Sequence, residues 1–151
     1  MDEIDRKILT LLQENSKISY NKLAKKLNLA TSTVYTRVKN LEKEDIITQY
    51  SVIIDHEKAG LKTIAILGLD VDPLRMKEIA KKLANLNNVL LVAITTGDHD
   101  LIIQIIATDE RELWRIINEK IKPIEGIRSQ ISVSSFIEIY KRTHLIDLLG
   151  D

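Results

Sequence analysis

Between Ser32 and Lys43 the chain carries hydroxyl, amide and basic side chains at spacings that gather them on one side of a helix. At about 100° per residue, Val34, Val38 and Leu41 fall within about 60° of one another. Ser32, Thr33, Thr36, Lys39, Asn40 and Lys43 centre on the opposite side, with Tyr35 and Arg37 flanking. Hydroxyls and amides of this kind hydrogen-bond base edges in a major groove, and Lys and Arg reach phosphates or guanine. The composition differs from the Glu-Lys lattice of a helix that is only solvated. The local charge agrees: from Lys17 to Lys43 there are seven bases and one acid, Glu42, a formal +6. Solvated helix faces and small helical packing units give similar patterns, so at this level a DNA-reading face stands beside a plain packing unit.

A second candidate lies at Gly97-Asp98-His99-Asp100. A carboxylate there could hold the ammonium of a small molecule, while a tight glycine turn lets backbone N–H groups approach its carboxylate. The competing reading is turn chemistry alone, with Gly97 at positive φ and Asp98 capping its own turn. Other chemistry is poorly provided for. His56, His99 and His144 are far apart, and there is no cysteine to join them, so no metal site is expected. Neither a phosphate-binding glycine loop nor a dinucleotide fingerprint occurs, and Ser134-Ser135 lacks the glycines of a nucleophile elbow. Trp114 and Phe136 read as core or interface aromatics. No catalytic residue can be named, and an enzyme is not expected.

Three helices must position the first set. Ile4, Ile8, Leu11 and Leu12 make one apolar stripe on a helix ending near Asn15. Ser19 offers an N-cap to a short helix with Leu23, Ala24 and Leu27 inward, and Asn28 suits the left-handed residue that closes it. Val34, Val38 and Leu41 define the third helix, so a turn of about three residues joins two short helices in the helix-turn-helix manner. Ile46 to Ile54 reads as a strand, and 55–62 breaks the pattern. Then come a strand Thr63 to Val71, a helix capped by Asp72-Pro73 with Met76, Ile79, Ala80 and Leu83 inward, and a strand Val89 to Thr95. A hairpin leads to strand Leu101 to Ala107, and Asp109 with Glu112 opens a helix with Leu113, Ile116, Ile117 and Ile121 inward. The last strand runs from Ile127 to Tyr140. The order β-α-β-β-α-β is a ferredoxin-like plait, so the fold class is α+β: an N-terminal helix-turn-helix followed by a plait with an antiparallel sheet. The expected divisions are 1–45 for the helix-turn-helix, 46–61 for a connecting strand and hinge, and 62–151 for the plait.

Such a sheet has helices on one face, and its strands are apolar on both. The other face is expected to meet a second copy of the chain or the N-terminal helices of its own. At 151 residues, 44% apolar and 29% charged, the chain buries a core, which excludes disorder. No apolar run approaches the roughly 18 residues of a membrane span, and Met1-Asp2-Glu3-Ile4-Asp5 does not open a signal peptide, so no membrane partner and a cytoplasmic location are expected. Lys plus Arg and Asp plus Glu are 22 each. This neutrality is an average: residues 51–151 hold thirteen bases and fifteen acids.

Asp2 to Gln13, Ile18-Ser19 with Leu23-Ala24 and Leu27, Ser32-Thr33-Val34, Arg37 to Glu42 and Ile46-Ile47 together resemble the winged or extended helix-turn-helix of the Lrp/AsnC, or feast/famine, regulators. Thr96-Gly97-Asp98-His99-Asp100 is similar to that family's Gly-Asp-x-Asp hairpin, and the resemblance spans essentially the whole chain. It implies a sequence-specific DNA-binding transcriptional regulator, prokaryotic and nucleoid-associated. Its partners would be double-stranded DNA and a small amino acid or related metabolite. The copies would form a homodimer that assembles further into a tetramer or octamer. It implies that Thr31, Ser32, Thr33, Tyr35, Thr36, Arg37, Lys39 and Asn40 lie on the DNA-reading helix. It further implies effector binding, between subunits or dimers, near Thr96, Gly97, Asp98 and Asp100 and near Ser134, Ser135 and Phe136. No other cofactor is implied. Ala30 departs from the serine usual before the reading helix, which transfers capping to Thr31 or Ser32. The alternative function is a metabolite sensor or enzyme-regulatory subunit that uses the plait and does not bind DNA.

Overall fold

The computed structural model describes residues 1–141 and 145–150, and His144 lies outside them. The chain forms two compact units, Met1–Ile53 with Lys141–Asp151, and Ile54–Tyr140. The expected division at 45 and 61 differs from this grouping at both ends, because residues 46–53 and the tail belong with the helical unit. Among the described residues no helix is long and apolar enough to cross a membrane.

The first unit contains α1 (Glu3–Glu14), α2 (Tyr20–Leu27) and α3 (Thr31–Lys43). A reciprocal capping box opens α1: Asp2 Oδ1 accepts from the Asp5 N–H and Asp5 Oδ2 from the Asp2 N–H, both at 2.9 Å. Ser19 Oγ accepts from the Lys22 N–H at 3.3 Å to start α2. Asn28, at φ 55°, closes α2 in the left-handed region. The three apolar stripes meet in one core of Ile8, Leu9, Leu12, Leu23, Ala24, Val34, Val38 and Leu41. The entry to α3 corrects the expected capping. Thr31 is its first residue, Ala30 precedes it, and no side chain caps it. Thr31 Oγ1 instead donates to Asn21 Oδ1 at 2.9 Å.

The expected strand from Ile46 to Ile54 is absent. Asp45 takes φ 55°, and the N–H groups of Ile46 and Ile47 both bond Leu41 O, at 3.0 and 3.1 Å, satisfying a carbonyl that the end of α3 would leave unpaired. Beyond them Val52, Ile53 and Ile54 are exposed, and no strand among the described residues pairs with them. The tail joins this unit. Gln13 Nε2 donates to Ile146 O at 3.0 Å, Gln13 Oε1 accepts from the Ile146 N–H at 2.7 Å, and Leu148 packs against the helical core.

The second unit is the expected plait. β1 (Thr63–Val71), α4 (Met76–Ala84), β2 (Val89–Ile94), β3 (Leu101–Ala107), α5 (Glu110–Ile116) and β4 (Ile127–Ser135) follow in order. The four strands lie β2-β3-β1-β4, all neighbours antiparallel. Ala65, Leu67, Leu69 and Val71 of β1 and Leu101, Ile103, Ile105 and Ala107 of β3 share a core with Ile79 and Leu83 of α4 and Leu113 and Ile116 of α5. Period-two alternation puts Ile64, Ile66, Gly68 and Asp70, with Ile102, Gln104 and Ile106, on the face without helices.

Two local expectations are corrected, and one helix keeps its expected inward residues but changes form. Asp72 does not cap α4: its Oδ1 accepts from the Leu74 N–H at 2.9 Å in a preceding turn, and α4 begins at Met76. The helix after Asp109 changes to a π-helical turn over Ile117–Ile121, which keeps Ile117 and Ile121 buried. β4 stops at Ser135 and does not reach Tyr140, since the Phe136 N–H bonds Ile64 O at 2.8 Å and its partner strand begins only one residue earlier, at Thr63.

Candidate functional site

The turn of α3 decides which side chains leave the helical unit. Val34 and Val38 are wholly buried, so Thr31, Ser32, Thr33, Tyr35, Thr36, Lys39 and Asn40 are all exposed, with Arg37 half-buried. Their availability differs. Among the described residues, Ser32, Thr33 and Asn40 make no side-chain hydrogen bond, whereas Thr36 Oγ1 donates back to Ser32 O at 3.0 Å. Tyr35 meets Tyr20 edge to face, with centroids 5.6 Å apart, and Lys39 Nζ lies 6.0 Å from the Tyr35 ring centre. Lys39 also pairs with Glu42 at 2.6 Å, and Glu42 Oε1 accepts from Tyr50 Oη at 2.9 Å. Glu42 raises the Lys39 pKa, and burial followed by the Glu42 bond pushes Tyr50 up to about 12.

Arg37 is held from α1. Its Nη1 donates to Asp2 Oδ2 at 2.7 Å and to Asp5 Oδ1 at 2.8 Å. Asp5 and then Asp2 raise the Arg37 pKa, and Asp2 is held below the usual carboxylate range by the Asp5 N–H and then by Arg37. A groove of about 550 Å³ runs along this face, lined among others by Asp5, Ser32, Thr33, Thr36, Arg37 and Asn40. The face therefore offers neutral donors and acceptors more freely than charge, because two of its bases already have carboxylate partners. Sequence reasoning missed Asp2 and Asp5 as members of this face. Their capping spacing was visible, but the partner of Asp5 stands 32 residues away.

The second set is divided. Thr96, Gly97 and Asp98 are exposed in the β2–β3 hairpin, and none makes a side-chain bond among the described residues. Thr95 closes the hairpin, its N–H bonding Asp100 O at 3.0 Å and its Oγ1 donating to His99 O. Asp100 points inward, where its Oδ2 accepts from the Val71 N–H at 2.9 Å. The expected positive φ at Gly97 is not found: only Gly60, Gly126 and Gly150 have it among the glycines, and a Cβ at Gly97 would meet nothing within 4 Å. Ser134, Ser135 and Phe136 lie at the other end of β1. Ser135 pairs with Ala65 and donates from Oγ to Glu110 Oε2 at 3.3 Å, and Phe136 is exposed. Leu101, next to Asp100, pairs with Leu69, and β3 and β4 flank β1 on opposite sides. Four residues along a strand and two strand spacings across separate the halves by roughly 17 Å, beyond the span of an amino acid. Within one chain the seven residues do not make one site. No cluster of potential metal ligands occurs among the described residues.

Residues 1–48 match a family model described as winged helix-turn-helix DNA-binding, and residues 61–149 match an AsnC-type model described as the PF0864 C-terminal dimeric alpha+beta barrel domain. An uncharacterised HTH-type transcriptional regulator of Pyrococcus abyssi is 40% identical over 129 residues, 85% of this chain and 82% of the relative. The HTH-type transcriptional regulator LrpA of Pyrococcus horikoshii is 35% identical over 127 residues, covering 84% of this chain and 90% of that protein. A Neisseria meningitidis transcriptional regulator, solved as its L-Met complex, shares the fold at a TM-score of 0.90 with 24% identity, over 95% of this chain and 94% of that one. With a DNA-binding helix-turn-helix ahead of an AsnC-type α+β domain, the chain belongs to the Lrp/AsnC family of transcriptional regulators.

Proposed function

We propose that the protein reads a specific DNA sequence by laying α3 in the major groove, as a homodimer whose two helices enter successive grooves about one helical turn or a multiple apart. The observation that carries this reading is the α3 face itself: Ser32, Thr33 and Asn40 are exposed and unbonded beside a groove, on a helix whose other side is locked in a core. Binding to random duplex at low salt, followed by selection of a preferred sequence, tests it. Asn40→Ala should weaken the selected sequence by about 1–3 kcal/mol and random duplex little, the signature of a base contact. A protein that shifts no duplex would instead be a sensor that keeps its helices for packing.

The dimer is supported by the apolar residues on the helix-free face of the sheet and by the dimeric character named for the matched domain. A small amino acid as effector is supported by the L-Met complex of the Neisseria relative and by the unbonded Thr96 and Asp98 beside an unfilled Gly97. The division of the seven residues within one chain agrees with a site completed by another copy. By binding one assembly state more tightly than another, the effector shifts how DNA is held. The expected setting is nucleoid DNA in a prokaryotic cytoplasm, and no catalysis is involved.

A further inference from the structure

The Asp2–Asp5–Arg37 cluster has an internal order. Each carboxylate spends one oxygen on the α1 cap and the other on Arg37: Asp2 gives Oδ1 to the Asp5 N–H and Oδ2 to Arg37, while Asp5 gives Oδ2 to the Asp2 N–H and Oδ1 to Arg37. The backbone of α1 thus fixes two carboxylates, and these fix one nitrogen of the guanidinium. Both contacts fall on Nη1, and Nε and Nη2 make no hydrogen bond among the described residues. Arg37 lines the groove together with Ser32, Thr33, Thr36 and Asn40. A guanidinium has five donors in a rigid fork, so an arginine gripped at one end still has an edge to offer, and its side-chain entropy is lost before any ligand arrives.

We infer that Asp2 and Asp5 are positioning residues for DNA reading, holding Arg37 so that its Nε–Nη2 edge meets a guanine alongside the hydroxyl and amide groups of α3. This inference rests on the DNA-reading function proposed above. It makes a prediction whose sign is opposite to simple electrostatics. Two carboxylates beside DNA repel phosphate, so removing their charge should strengthen binding unless their orienting effect is the larger one.

Asp2→Asn and Asp5→Asn, singly and together, keep a short acceptor suited to the cap while removing the charge. Affinity is read on a duplex selected by the wild-type protein and on random duplex over a range of salt, with thermal stability in parallel. The double variant should lose about ten-fold on the selected duplex and keep or gain affinity on random duplex. Arg37→Met should lose a similar factor, and adding both Asn substitutions to it should lose little more. Selected-duplex affinity equal to or above that of the wild type in the folded double variant overturns the inference, leaving the carboxylates as mere repulsion. Should that variant not fold, Arg37→Lys carries the test, because it keeps the charge and removes the fork; an unchanged sequence preference overturns the inference there too. A wild-type protein that binds no duplex removes the DNA-reading function and this role together.

Discussion

Two glycines of the plait show how differently the same residue type is constrained. A Cβ on Gly68 would lie 2.0 Å from His99 Cδ2, and the His99 ring is further held by Nδ1 at 3.2 Å from Asp70 Oδ1. Gly68→Ala should therefore cost about 1–3 kcal/mol in urea unfolding by driving the ring off the strand, and His99→Ala in the same chain should recover most of it. An unrecovered loss would place the strain in β1 itself. At Gly97 there is neither a clash nor a left-handed φ. Gly97→Ala should leave the urea midpoint nearly unchanged. If an effector's backbone-like groups approach there, the same substitution should abolish the rise in Tm that a panel of amino acids produces with the wild-type protein. Stability without response separates a glycine kept for a ligand from one kept for the chain.

At the scale of elements, the start of α1 carries a pH dependence. The Asp5 N–H and then Arg37 hold the Asp2 carboxyl below its ordinary value. A carboxyl whose folded pKa lies below its unfolded value near about 3.9 stabilises the fold fully above that pH, and the contribution disappears as pH falls through the folded value. Asp2→Asn should accordingly show a smaller decline in urea midpoint between about pH 5 and pH 3 than the wild type. Helices α1 to α3, both plait helices and all four strands could be read from periodicity and caps, because each buries a stripe or a face that repeats in sequence. Errors arose where a competing local bond took over. Asp45 and the Leu41 carbonyl turned Ile46-Ile47 into a helix stop, and Asp72 capped a turn in place of a helix. The candidate DNA face was legible as a set of residue types, but its electrostatics were not. The carboxylates on Arg37 come from another helix, and no period of the chain announces a contact between them.

For the whole molecule, formal neutrality hides less positive charge than the basic window promised, since Arg37 is paired with Asp2 and Asp5, two acids outside that window. Binding should then depend on two heads acting together more than on bulk charge. Light scattering should find a dimer or a larger assembly, and a monomer mass would remove the second copy from the DNA and effector proposals alike. The bond pair between Gln13 and Ile146 spans 133 residues of sequence and involves residues of the helical unit at both ends. During synthesis, α1 to α3 leave the ribosome first, yet Ile146 and Leu148 follow only after the entire plait. Local helical contacts form fast and such distant ones slowly, so the nascent head is incomplete until the plait has been synthesised. The order of translation thereby delays a fully assembled DNA-binding head until the AsnC-type domain has been made.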